Sequence, residues 1–206
     1  MKKSLRVLIV FSVMLAFFSF TSVHADYDAE GVEYRINAMS RLKSESIVVG
    51  YADGDLGAKK LITRAEMITL ICRAYAEGNR LTEGLYYVPF YSDIPADSKA
   101  TGAHWATSFI NAGSEFGIVN GYPDGTFRPD APVLYEEAVK MIVCLYGDTN
   151  AAYPHGFLRL ASGYGIDKHA GGTFGEPATR ETVFTLLYNA LAVSDDKLEI
   201  LLEDMR

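Results

Sequence analysis

Histidine and cysteine are scarce in this 206-residue chain, with four of the first and two of the second. Beyond an apolar leader only His104, His155 and His169 remain, each in a separate segment. That scatter excludes a metal centre built on closely spaced imidazoles. No Gly-x-Ser-x-Gly elbow and no glycine-rich phosphate loop occurs. Glu136 and Glu137 are neighbours on a predicted helix, so they point to different faces and make a poor acid–base pair. These absences point away from an enzyme and call for neither a metal nor another cofactor. Basic charge is short as well, 19 Lys and Arg against 26 Asp and Glu. That balance argues against nucleic acid or an anionic membrane surface as the main partner, since both attract basic patches. It leaves room for a local cationic groove that captures an anion.

Long apolar runs are missing except at the start. Lys2, Lys3 and Arg6 precede an apolar stretch from Val7 to Phe20, and Val23-His24-Ala25 has the small-x-small form of a cleavage site. The stretch is short for a bilayer span of about 20 residues. Residues 1–25 therefore read as a secretory signal, with a mature chain starting at Asp26 and no membrane association after cleavage. Loss of three basic residues would leave 16 against 26, a formal net charge of −10. Export makes a bridge between the two cysteines worth weighing. Cys72 falls on an apolar helix face and Cys144 at a polar position of the equivalent helix. They are expected to stay unpaired, with Cys144 accessible.

What the chain has is repetition. Gly117-Ile118-Val119-Asn120-Gly121-Tyr122-Pro123-Asp124-Gly125-Thr126-Phe127-Arg128-Pro129 packs three glycines and two prolines into one loop. Glycine suits turn positions with positive φ, and proline forbids a continuing helix. The pattern recurs at Gly50-Tyr51-Ala52-Asp53-Gly54-Asp55-Leu56, followed by Ile62-Thr63-Arg64-Ala65-Glu66. Asp53 and Asp124 are 71 residues apart, as are Glu66 and Glu137. A fainter copy reads Gly165-Ile166, Gly172-Thr173-Phe174 and Ala178-Thr179-Arg180-Glu181. Thr63 and Glu66 have the spacing of a capping box. The helices that follow share seven apolar positions, the first of them held by Met67, Ala138 and Val183. So wide an apolar face predicts helices buried against one another. One intervening polar position holds Thr69, Lys140 and Thr185.

These motifs resemble the S-layer homology (SLH) domain, whose repeats carry a GYxDGTF-like loop and an ITRAE-like helix start. The second copy adds the upstream signature Tyr91-Ser92-Asp93-Ile94 and His104-Trp105-Ala106. The resemblance implies a mainly helical, all-α fold with long ordered loops. Three repeats would form a pseudo-threefold trimer around a central three-helix bundle. Its repeats would span 26–85, 86–148 and 149–192, with a tail at 193–206 able to form a short helix. The expected place is outside the cell, at the wall or S-layer surface.

SLH domains are similar in gripping an anionic secondary cell-wall polysaccharide between adjacent repeats, often through a pyruvate ketal. By position the resemblance carries glycan contact to Arg64 and Arg180, and groove rims to Gly50, Tyr51, Asp53, Gly54, Gly121, Tyr122, Asp124 and Gly125. A cation at a helix start has a physical logic, because the first-turn N–H groups also favour an anion. The same arginines could equally complement nearby carboxylates. The Asp-Gly pairs read more simply as turn-formers than as calcium ligands. Tyr51 and Tyr122 are the stacking candidates, while Trp105 is expected to pack. Tyr135 stands where the second copy should have its arginine. Arg64 with the intact Gly50–Gly54 loop is therefore expected to dominate binding. Loss of that arginine and decay of the third copy favour an alternative, an SLH fold without glycan binding that joins another surface protein.

Overall fold

The computed structural model describes residues 29–75, 89–148 and 150–193. The expected leader, the connector at 76–88 and the tail from 194 onward lie outside the described residues. Among the described residues there are six helices and no strand: α1 (29–44), α2 (Arg64–Tyr75), α3 (Thr107–Glu115), α4 (Tyr135–Cys144), α5 (His155–Tyr164) and α6 (Arg180–Ala192). The all-α expectation holds.

Local chemistry sets the helix ends. Thr63 Oγ1 accepts from the Glu66 N–H at 3.1 Å, and the Thr63 N–H donates to Glu66 Oε2 at 2.9 Å. This is the reciprocal capping box read from the sequence. At α6 the Thr179 hydroxyl accepts from the Thr182 N–H. Leu134 has no oxygen to offer α4, and only the return bond survives, from the Leu134 N–H to Glu137 Oε2 at 3.0 Å. The outer helices α1, α3 and α5 each lead into a residue with positive φ: Ser46, Gly117 and Gly165. After each, an isoleucine N–H reaches back into the helix, as Ile47 to Leu42, Ile118 to Gly113 and Ile166 to Ala161. That left-handed stop turns Ile47, Ile118 and Ile166 into the core.

α2, α4 and α6 touch one another in the middle of the molecule. Met67, Ile68 and Ile71, then Ala138, Val139 and Ile142, then Val183, Phe184 and Leu187 are all buried there. Removing one such aliphatic or Phe side chain from water contributes about 1.5–3 kcal/mol. The polar position of α2 and α6 is buried as well. Thr69 and Thr185 donate to the carbonyls of Ala65 and Glu181, four residues back, at 2.8 and 2.9 Å.

At one end of the bundle three short segments close a triangle. The Ile62 N–H donates to Ala178, Ala178 to Val133, and Val133 to Ile62, at 3.2, 2.9 and 3.0 Å. Buried backbone needs such partners, and here each copy supplies the next. Around this axis every outer helix covers the central helix of the preceding copy. α3 lies on α2 and α5 on α4. α1 closes the circle on α6, where Tyr34 donates to Asn189 Oδ1 at 2.7 Å and Arg35 pairs with Glu181 at 3.0 Å.

Two expectations fail here. Cys144 is buried, because α5 covers the face of α4 that the sequence pattern marks as polar. Trp105 is 59% exposed. It precedes α3 in a turn where the buried Ala106 faces the core, and its own ring lies beside His104, 5.3 Å between centroids.

Candidate functional site

The first two loops have one construction. Tyr51 donates to the Asp55 carbonyl and Gly54 to the Tyr51 carbonyl, both at 2.8 Å. Tyr122 and Gly125 repeat this at 2.8 and 2.9 Å with Thr126 and Tyr122. Asp53 Oδ1 accepts from the Asp55 N–H and Asp124 Oδ1 from the Thr126 N–H, each at 3.0 Å. The aspartates are thus turn-formers, as read from the sequence. Hydrogen bonds from Thr126 and then Arg128 hold the Asp124 carboxyl at about 2. A Cβ on Gly50 would lie 2.9 Å from the Asp55 carbonyl oxygen, and one on Gly121 2.7 Å from that of Thr126. Both loops close too tightly for a side chain.

The motif arginines are not surface cations: Arg64 is 4% exposed and Arg180 6%. Each leaves its own copy for the loop of the next. Arg64 donates to the Phe127 and Asn120 carbonyls at 2.9 Å each, and to Glu137 Oε1 at 3.3 Å. Its guanidinium lies over Tyr122 and Phe127, 4.8 and 4.7 Å from their ring centres. Arg180 repeats the arrangement on the first loop, donating to Leu56 at 2.8 Å, Val49 at 3.4 Å and Glu66 Oε1 at 3.0 Å. The third groove departs from both. Tyr135 packs so closely on Gly172 that a Cβ there would meet its ring at 2.0 Å. The acidic partner is missing too, because Thr182 holds the position of Glu66 and Glu137.

Between the first and second copies lies a cleft of about 350 Å³, lined by Arg64, Asn120, Gly121, Tyr122, Lys140 and Tyr153 among others. Tyr122 stands between two guanidiniums, with Arg128 on its ring at 4.2 Å, and its hydroxyl donates to Glu137 at 3.3 Å. Burial pushes its phenol pKa up, and Arg64 offsets part of that rise. Asn120, with its amide oriented to satisfy both neighbours, accepts from Lys140 Nζ at 3.1 Å. Tyr153, half exposed at the start of the third copy, forms the far wall. Sequence reasoning missed Lys140 and Tyr153 as site residues. Lys140 had a signal, being the one charged residue at a position otherwise held by threonine. Tyr153 had none.

The S-layer homology domain profile matches residues 26–68 and 96–139. This chain carries S-layer homology domains. Over 160 residues, 75% of its length, it is 36% identical to the middle cell wall protein of Brevibacillus brevis. It is 34% identical over the same length to the surface layer protein of Brevibacillus choshinensis. Over 105 residues, 51% of its length, it is 30% identical to the cellulosome-anchoring protein of Acetivibrio thermocellus. The aligned stretch spans 14%, 13% and 22% of those three proteins. The SLH domains and these relatives place the chain at the cell surface or wall.

Within the SLH fold the site candidates divide between two grooves. Gly121 and Tyr122 join Arg64 in the open cleft, while Tyr51 and its loop surround Arg180. Arg64 and the Gly50–Gly54 loop therefore do not form one site, because each arginine crosses to its neighbour. Tyr51 is covered on one face by Lys60 Nζ at 3.7 Å. Asp53, Gly54, Asp124 and Gly125 stand at exposed loop tips. Among the described residues no cluster of His, Cys, Asp and Glu has metal-site geometry, and no helix is long and apolar enough to cross a membrane.

Proposed function

We propose that this chain anchors non-covalently to the bacterial surface by binding an anionic wall polysaccharide, pyruvylated in the form expected of the family. The carrying observation is the cleft between copies one and two, where Arg64 and Lys140 meet the rings of Tyr122 and Tyr153. Concave sites of aromatic rings with a few polar groups suit small cyclic ligands, and cations at one end favour a carboxylate. The names of relatives, among them a cellulosome-anchoring protein, support an anchoring role. The role is binding, with no chemical step.

The test is co-sedimentation of the purified chain with wall fragments that retain their polysaccharide, before and after mild acid release of ketal-linked pyruvate. Retention on the untreated wall and loss on the treated one is expected. Failure to sediment with untreated wall overturns the reading.

Two observations favour a second reading, a protein-joining module without glycan affinity. Both motif arginines pair with carboxylates, and Tyr135 fills the third groove. Binding to a surface protein with no wall retention would support it.

A further inference from the structure

We infer that Lys140, rather than the motif arginine Arg64, supplies the cation that meets the ligand's anionic group, and that the cleft between copies one and two is where it does so. The inference rests on the wall-anchoring reading and names a residue that the repeat motif does not contain.

The charges in the cleft carry the argument. Arg64 is nearly out of solvent, with two of its N–H groups on loop carbonyls and a third on Glu137. Its charge is balanced by that carboxylate. Arg180, whose groove has Thr69 at the position of Lys140 and Lys60 set on the Tyr51 ring, is balanced in the same way by Glu66. This arrangement occurs in both intact grooves, so it belongs to the joint between copies. Lys140 differs. It is half-buried on α4 and makes no salt bridge among the described residues. Its ammonium meets a neutral amide oxygen of Asn120 and lies 5.8 and 5.9 Å from the centres of Tyr153 and Phe157. An ammonium has three donors, so at least one remains for a ligand. Among the lining residues Arg64 and Glu137 cancel, which leaves Lys140 as the unbalanced cation, while Glu136 behind Tyr153 is held outside the lining by the Gly175 N–H.

The register supplies an independent reason. The equivalent residues Thr69 and Thr185 are buried, and their hydroxyls are occupied by their own helices. The fold is therefore complete with a small neutral residue at this position. A lysine there serves something other than folding. Its neighbour Tyr153, half exposed, offers a ring on the same cleft, and Tyr122 lines the other side, which suits a sugar carrying one carboxylate.

Lys140→Thr is the direct test, since it installs the residue that the other two copies use. Lys140→Gln and Lys140→Arg accompany it, with thermal melting of each variant. The probe is wall with its polysaccharide, untreated and stripped of ketal-linked pyruvate. Expected are unchanged melting for Lys140→Thr and affinity for untreated wall reduced about tenfold or more, as for removal of a charge from a partly desolvated contact. Lys140→Gln should behave alike, Lys140→Arg should retain binding, and stripped wall should bind wild type no better than it binds Lys140→Thr. Wild-type binding with an equal affinity of folded Lys140→Thr overturns the role of Lys140 and leaves the anchoring reading standing. Melting lost in both Lys140→Thr and Lys140→Gln overturns it too, by making the lysine structural. No wild-type binding removes both.

Discussion

Arg180 and Glu66 meet at 3.0 Å, and the carboxylate that receives the guanidinium also caps a helix. Glu66 Oε1 takes Arg180 while Oε2 takes the Thr63 N–H. Glu137 does the same in the next groove, with Arg64 on Oε1 and the Leu134 N–H on Oε2. One residue in each of two copies thus couples a helix start to the joint between copies. The third copy has Thr182 there and faces no arginine. The motif cation and its carboxylate are absent from the third groove together, and the buried Glu136 carboxylate there accepts from the Gly175 N–H at 2.9 Å instead.

Glu66→Ala should therefore lose more than a cap. Loss of capping alone costs about 1 kcal/mol, and removing one partner of a buried ion pair about 3–5 kcal/mol. Glu66 is partly exposed, so solvent screening lowers the second figure. Denaturation should show a loss of about 2–3 kcal/mol, and a double-mutant cycle with Arg180→Met should show strong coupling. Additive effects would mean that the pair contributes nothing.

The third groove makes a steric prediction. Gly172→Ala would bring a Cβ to 2.0 Å from Tyr135 Cδ2 and 2.8 Å from its Cγ, near the root of the ring. Overpacking of this kind costs about 1–3 kcal/mol. In a Tyr135→Ala background the same change should cost almost nothing. An equal cost in both backgrounds would show that the ring does not fill the groove.

Glu181 makes a prediction in acid. Burial would raise its carboxyl pKa, but hydrogen bonds from Lys59 and Arg35 outweigh that and hold it below its ordinary 4.5. A carboxyl depressed in the folded state stabilises fully above its unfolded pKa, and that contribution is lost as pH falls through the folded value. Stability should thus decline below about pH 4.5. Glu181→Gln should be less stable at neutral pH and show a flatter acid limb. Parallel limbs would rule out this carboxyl as a source of the acid sensitivity.

The cysteines should be inert while the chain is folded. Both are free and buried, and burial pushes the Cys72 thiol up to about 12. Thiol reagents attack the thiolate, so labelling should wait for unfolding. A native, non-reduced mass two hydrogens light with a mapped Cys72–Cys144 peptide would contradict this.

Much of the fold was legible because its signals are local. Thr63 and Glu66 announce a helix start within four residues, and Asp124-Gly125 announces a turn because the Asp124 carboxylate accepts from the backbone two residues on. The repeated apolar positions required buried, mutually facing helices, since no single copy hides so wide a face. Tertiary structure alone decided which copy each arginine serves. Arg64 and Gly50 are close in sequence, yet the triangle at Ile62, Val133 and Ala178 aims Arg64 at the second loop and Arg180 at the first. The burial of Cys144 also depended on a neighbour, α5, that no pattern within α4 reveals. Lys140 interrupts the threonine series in the sequence. Whether that side chain faced water, a carboxylate or an open cleft depended on where Asn120, Glu137 and Tyr153 came to rest. Local bonding is written in neighbouring residues, whereas the charge balance of a groove is set by groups that only the closed ring of copies brings together.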